Sequence, residues 1–203
     1  MTIYKEINEL NTVSINQIHT PEIIPFNSDE EWHELRSKTI GGSEMGALFE
    51  NVSEHFPVSE DSGDYNLYED EQGDPASPYN SPLSLWALKS NKLKITDTLD
   101  NKRIRWGSRF EPVIASQIAK QEGWELKTPE GYMVHPKIKR MGASLDFLIR
   151  FEQTNELWIP LEIKNVSDME RPKWRNSLGD YVVPGHILIQ VQTQLCVTGL
   201  PFA

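Results

Sequence analysis

Apolar positions recur at two different periods along this chain, and the change of period divides it into regions. In NSDEEWHELRSKT, Trp32 and Leu35 stand three residues apart among charges, the spacing of one helix face. Ser28 precedes the run as an N-cap, and Glu31 three residues on completes a capping box. IGGSEMGALFE follows with a glycine turn, Ser43 as a cap, and a second short helix. SPLSLWALKSNKL restarts a helix at Ser81–Pro82, where proline suits the first turn. RIRWGSRFEPVIASQIAKQEGW predicts a longer helix from about Ser108 to Gln121, stopped by Gly123.

The period then shortens. WELKT, GYMVHP, GASLDFLIRF and ELWIPLEIKNV read as strands, and RFEQTNEL reads as the hairpin loop between the last two. PGHILIQVQTQLCVTG returns to helical spacing, with Ile187, Val191, Gln194 and Leu195 on one face. Helices, an antiparallel strand group and a further helix predict an α/β fold with a restriction-endonuclease-like core, a central mixed sheet flanked by helices. Residues 1–27 read as an N-terminal arm or short helix, and 28–203 as one domain. An insertion at about 50–80, rich in Asp, Glu, Ser, Gly and Pro, interrupts that domain. The chain stops at LPFA, where another strand is expected to begin, which suggests that the C-terminal part of the domain is missing. Trp86, Trp106, Trp124 and Trp158 fall in apolar patterns and read as core.

Charge changes this picture only after it is located. The formal net charge is −10, yet the segment Glu50 to Asp74 alone holds nine acids and no Lys or Arg. Removing that local charge of −9 leaves −1 for the other 178 residues. Between Lys89 and Arg109 seven basic residues meet two acids, and shorter basic clusters follow at Lys137, Lys139 and Arg140 and at Arg171, Lys173 and Arg175. A basic groove on a weakly acidic body is compatible with a nucleic-acid partner. Cys196 is the only cysteine, which excludes intrachain disulfides and cysteine-held clusters and fits a reducing cytoplasm. The five histidines lack zinc-ligand spacing. No apolar run approaches the roughly 20 residues that span a bilayer, so no membrane role is expected.

The chemistry centres on LEIKN. In a strand, Glu162 and Lys164 share a face while Leu161 and Ile163 point the other way. Such a pair is either a surface ion pair or half of a metal-dependent nuclease site. A second copy, Glu125 and Lys127 in WELKT, shows that the spacing alone decides nothing. Asp146 separates the two, because a hairpin would bring it alongside Glu162, whereas no acid on a comparable strand precedes Glu125. Two carboxylates on adjacent strands can hold Mg²⁺ against a phosphodiester, with Mn²⁺ as a substitute. The ion polarises the phosphoryl oxygen and lowers the pKa of bound water, and a neighbouring lysine can orient that water. Glu111, in the first turn of the predicted helix of RWGSRFEPVIA, either pairs with the helix dipole or holds a second metal. Trp174, between Lys173 and Arg175, is an exposed loop aromatic or a stacking wedge at a DNA end.

Asp146 with Glu162-x-Lys164 resembles the PD-(D/E)xK nuclease core. The ordered set WHELRSKTIGGSEMGALF, SPLSLWALKS, RWGSRFEPVIA, GASLDFLI, LEIKN and IQVQTQLCVTG, from about Trp32 to Gly199, resembles the YqaJ-type viral recombinases, the phage lambda exonuclease family. That resemblance implies a 5′→3′ exonuclease on double-stranded DNA ends, supporting recombination with a single-strand annealing protein, as a homo-trimer in the cytoplasm of a phage-bearing bacterial host. It implies metal ligation by Asp146, Glu162, Glu111 and the carbonyl of Ile163. Lys164 would position the water, and Gln190 would sit beside it. Arg36 and Ser43 match the pair that holds the 5′-phosphate; a glycine turn into a helix N-terminus would favour an anion at Ser43. Bland readings stand beside both, a surface arginine and a plain cap. Ser144-Leu145-Asp146-Phe147 departs from the family pattern by lacking Pro and Gly around the aspartate. The alternatives are a structure-selective endonuclease on the same core and a catalytically inactive DNA-binding recombination module.

Overall fold

The computed structural model describes residues 17–49, 77, 80–93, 102–154, 156–175 and 178–203. The expected acidic insertion falls outside them apart from Ser77 and Asn80, as do the first 16 residues of the arm. In chain order the helices are α1 (Asp29–Lys38), α2 (Gly42–Met45), α3 (Pro82–Lys89), α4 (Lys102–Glu122) and α5 (Gly185–Thr198). The strands are β1 (Glu22–Ile24), β2 (Glu125–Lys127), β3 (Tyr132–Val134), β4 (Gly142–Ala143), β5 (Phe147–Arg150) and β6 (Ile159–Leu161).

The fold class is α/β, but the sheet is divided. One antiparallel sheet runs β1-β3-β4 and the other β2-β5-β6. Among the described residues the parallel element expected of a mixed sheet is reduced to the isolated bridge between Ile40 and Met141. Residues 22–24 of the predicted arm are a strand paired with β3, Ile24 opposite Tyr132. GASLDFLIRF, read as one strand, is β4 and β5 with a break at residues 144–146.

β5 explains the layering. Its Phe147 packs with Ala115 of α4 and with Ile163, while its Leu148 packs with Leu145, Ala143, Met133 and Val197 of α5. Successive side chains therefore enter two different clusters, which is why FLI reads as an unbroken apolar run. α4 covers one side of the β2-β5-β6 sheet, and on the other Leu148 joins a cluster shared by β3, β4 and α5.

Several ends are fixed by side chains. Ser28 caps α1 by accepting from Glu31 N at 3.3 Å, but the Glu31 carboxylate accepts from Asn27 N, one residue earlier than a capping box requires. Gly41, not Ser43, is the N-cap of α2, and its N–H donates to Glu44 at 2.9 Å. α4 starts at Lys102 rather than Ser108 and runs through Pro112, so Glu111 lies mid-helix and cannot pair with the N-terminal dipole. α5 ends at Gly199 in the left-handed region (φ +70°), as a glycine C-cap should. Gln17 and His19 donate to the carbonyls of Thr198 and Val197 at that end. Trp86 and Trp106, predicted as core, are about half exposed, whereas Trp124 and Trp158 are partly buried.

Candidate metal centre and phosphate pocket

The β5–β6 register places Leu161 opposite Phe147, Pro160 opposite Leu148 and Ile159 opposite Ile149. One step further, Asp146 and Glu162 meet as the two strands end. The ladder stops there because the Asp146 side chain takes the next donor: Ile163 N–H donates to Asp146 Oδ2 at 2.8 Å. Ile163 is buried, so its chain position is fixed by packing as well as by this bond.

The Glu162 side chain is only 7% exposed. Lys164 pairs with its Oε1, and Gln190 Nε2 donates to the same oxygen at 2.6 Å. Gln194 Nε2 donates to Oε2 at 2.6 Å and reaches the Ser144 carbonyl at 3.3 Å. Gln190 and Gln194 lie one turn apart on α5, so one helix face presents both amides. Gln194 Oε1 is buried without a partner among the described residues, a loss of about 1–3 kcal/mol.

Two like charges in one buried place disfavour ionisation. The Asp146 carboxyl is pushed up to about 7, first by burial and then by Glu162, against the stabilising Ile163 N–H. Glu111 on α4 is also raised by burial, with Lys164 opposing and Glu162 adding, so it lies within electrostatic range of the pair. Among the described residues no three His, Cys, Asp or Glu side chains gather into a metal-holding group. The donor set is therefore two carboxylates, with Glu111 standing off.

The decoy behaves differently. Glu125 is bound by Arg150 at 2.7 and 3.1 Å and held below the usual carboxylate range by it. Lys127 lies 4.6 Å above the Trp158 ring. This second Glu-x-Lys is an exposed strand edge with a cross-strand cation.

The Arg36 and Ser43 side chains meet, Arg36 donating to Ser43 Oγ at 3.3 Å while its guanidinium stacks 4.6 Å from the Trp32 ring centroid. Glu44 also enters this pocket. Lys89 contacts it at 2.8 Å and Arg36 at 3.5 Å, so the lysine takes the larger share of its charge. Two cations against one acid leave a net positive pocket. α2 has only four residues, too short to supply much of a helix dipole, so the positive charge here comes from the side chains. A Cβ on Gly42 would stand 3.0 Å from Gln190 O and 3.2 Å from its Cγ, so α2 lies directly on the helix that carries Gln190. Trp32 Nε1 also donates to Ser144 Oγ at 2.9 Å, two residues before Asp146. Pocket and carboxylates are thus tied by two separate contacts.

The family model described as the YqaJ-like viral recombinase domain matches residues 72–201. The chain belongs to that family. No curated protein matches it. Membership in this recombinase family carries recombination and a DNA substrate with it, and no helix among the described residues is long and apolar enough to cross a membrane. The YqaJ-like match takes in Glu111, Asp146, Glu162, Lys164 and Gln190 and begins after Arg36 and Ser43, so the pocket of this recombinase domain rests on its own geometry. Sequence reasoning missed Gln194 as a site residue, along with Glu44, Lys89, Trp32 and Ser144. The QVQTQ spacing, with glutamines at i and i+4, was the one available signal.

Proposed function

We propose that this protein is a Mg²⁺-dependent 5′→3′ exonuclease that hydrolyses phosphodiesters at double-stranded DNA ends, working with a single-strand annealing protein. The observation that carries the reading is the junction of Asp146 and Glu162 where β5 and β6 end, with Lys164 and Gln190 on the same carboxylate. The donor set suits Mg²⁺ better than a cation that needs a full protein cage. Mg²⁺ keeps several waters and is commonly held by one or two carboxylates together with substrate phosphate. The His and Cys ligands that zinc favours do not gather among the described residues.

Asp146 and Glu162 would hold the ion, and Glu111 and the Ile163 carbonyl would serve an outer or second position. When bound, Mg²⁺ supplies a polarised phosphoryl oxygen and a water of lowered pKa. Lys164, partly exposed beside Glu162, would orient the attacking water and offset charge that develops on the phosphoryl oxygens. Gln190 would hold Glu162 in place and offer its carbonyl to the same water. Water adds to phosphorus, the P–O3′ bond breaks, and the leaving 3′-oxygen takes a proton. The shortened strand then carries a new 5′-phosphate, the group that Arg36, Ser43 and Lys89 would receive.

Digestion of linear duplex with and without a 5′-phosphate, in Mg²⁺ and in EDTA, tests the reading. Faster loss of phosphorylated ends in Mg²⁺ and none in EDTA is expected. Nicking of closed circles would instead favour an endonuclease, and no cleavage in Mg²⁺ or Mn²⁺ an inactive DNA-binding module.

A further inference from the structure

Gln194 has no part in the reaction just described, yet it is the polar side chain most deeply buried beside the site, 1% exposed. Its carbonyl oxygen has no partner among the described residues. A buried acceptor left unpaired is destabilising, and an apolar side chain of the same shape would avoid that loss. The amide N–H₂ therefore needs a reason to be there. It has two acceptors, Glu162 Oε2 and the Ser144 carbonyl, and so joins the two segments that carry the carboxylates.

An ionised carboxylate offers about four acceptor positions. On Glu162, Lys164 and Gln190 occupy Oε1, and Gln194 occupies one side of Oε2. About one position remains, on Oε2. We propose that Gln194 is a positioning residue that limits Glu162 to one-point contact with a cation and thereby favours Mg²⁺ over Ca²⁺. Mg²⁺ accepts single-oxygen carboxylate contacts in a tight octahedral shell, whereas Ca²⁺ takes more ligands and often both oxygens of one carboxylate. The inference rests on the Mg²⁺ nuclease reading and adds its cation selectivity.

The test is isothermal titration of the metal-free chain with Mg²⁺ and with Ca²⁺, without DNA, for wild type, Gln194→Met and Gln194→Asn. Losing a partner that orients a metal ligand lowers affinity by about 10–100-fold. Mg²⁺ affinity is expected to fall by at least the lower figure, while Ca²⁺ affinity falls less or rises, so the Mg²⁺/Ca²⁺ affinity ratio drops. Thermal unfolding identifies the variants that remain folded, and a folded one decides. An unchanged ratio, in a protein whose wild type binds Mg²⁺ and cuts DNA, overturns the role of Gln194 and leaves the nuclease reading standing. A wild type that binds neither ion and leaves DNA intact overturns both. Should neither variant fold, hydrogen exchange of the wild-type Gln194 side-chain amide decides: protection kept through a Mg²⁺ titration supports the clamp, and protection lost refutes it.

Discussion

Replacing Asp146 by Asn separates what the site requires from what the fold prefers. In the metal-free protein the Asp146 carboxyl titrates at about 7 instead of 3.8, because burial and the Glu162 charge both oppose ionisation. The folded chain thus keeps this proton up to about pH 7, while the unfolded chain releases it near pH 4. Between those values the folded state binds more protons, so stability declines as pH rises, and above pH 7 the whole penalty is present. A rise from 3.8 to about 7 corresponds to a ceiling of about 4 kcal/mol, which residual solvent contact reduces. Asn cannot ionise, and its carbonyl can still accept the Ile163 N–H. Asp146→Asn should therefore stabilise the metal-free protein by about 1–4 kcal/mol at pH 8 and by less than half as much at pH 5. Urea unfolding in EDTA at the two pH values measures this, and the same variant should lose Mg²⁺ binding and cleavage. Lower stability than wild type at pH 8, or an equal gain at both pH values, would refute the buried like-charge account.

Lys164→Ala should keep DNA affinity in a gel shift and lose cleavage by a factor on the order of 10² or more, the cost of one transition-state donor; near-normal turnover would remove the lysine from the mechanism. Arg36→Ala should slow digestion of 5′-phosphorylated ends more than of unphosphorylated ones in a two-substrate time course, and equal slowing would count against a phosphate pocket. Glu125→Gln releases Arg150 on an exposed strand edge, and cleavage and melting temperature should stay near wild type. A loss of turnover like that of Lys164→Ala would place the catalytic Glu-x-Lys on β2 instead.

The elements whose cause is local were legible in the sequence. Ser81–Pro82 and Gly123 mark helix ends because cap and left-handed geometry depend on the residue itself. β1 was not legible: its three residues become a strand only by pairing with β3, far along the chain. α4 was expected from about Ser108, yet it starts at Lys102 and runs through Gly107 and Pro112. Packing of Ala115 and Ile114 against Phe147 and Ile163 outweighs a proline penalty of roughly 3 kcal/mol. Trp86 and Trp106 carry an apolar pattern but end up half exposed, with Lys92 and Arg109 over their rings. A long aromatic side chain reports hydrophobic character, not the side of the helix that finds a partner.

At the site, the residue types were legible and their supports were not. Strand alternation placed Glu162 and Lys164 together, and they do meet, though β6 has ended at Leu161. The true reason is tertiary. Asp146 captures the Ile163 N–H that a regular ladder would have used, and Gln194 takes the Ser144 carbonyl on the other side of the break. Both backbone groups leave the sheet to bond with side chains, and that exchange turns two strand ends into a presented pair of carboxylates. Glu125 and Lys127 never undergo it, because β2 stays paired with β5 along its length and Arg150 neutralises the acid. Identical spacing thus yields a strand edge in one place and a charged junction in the other. What differs is whether the neighbouring chain offers a cation to the glutamate or a second carboxylate beside it.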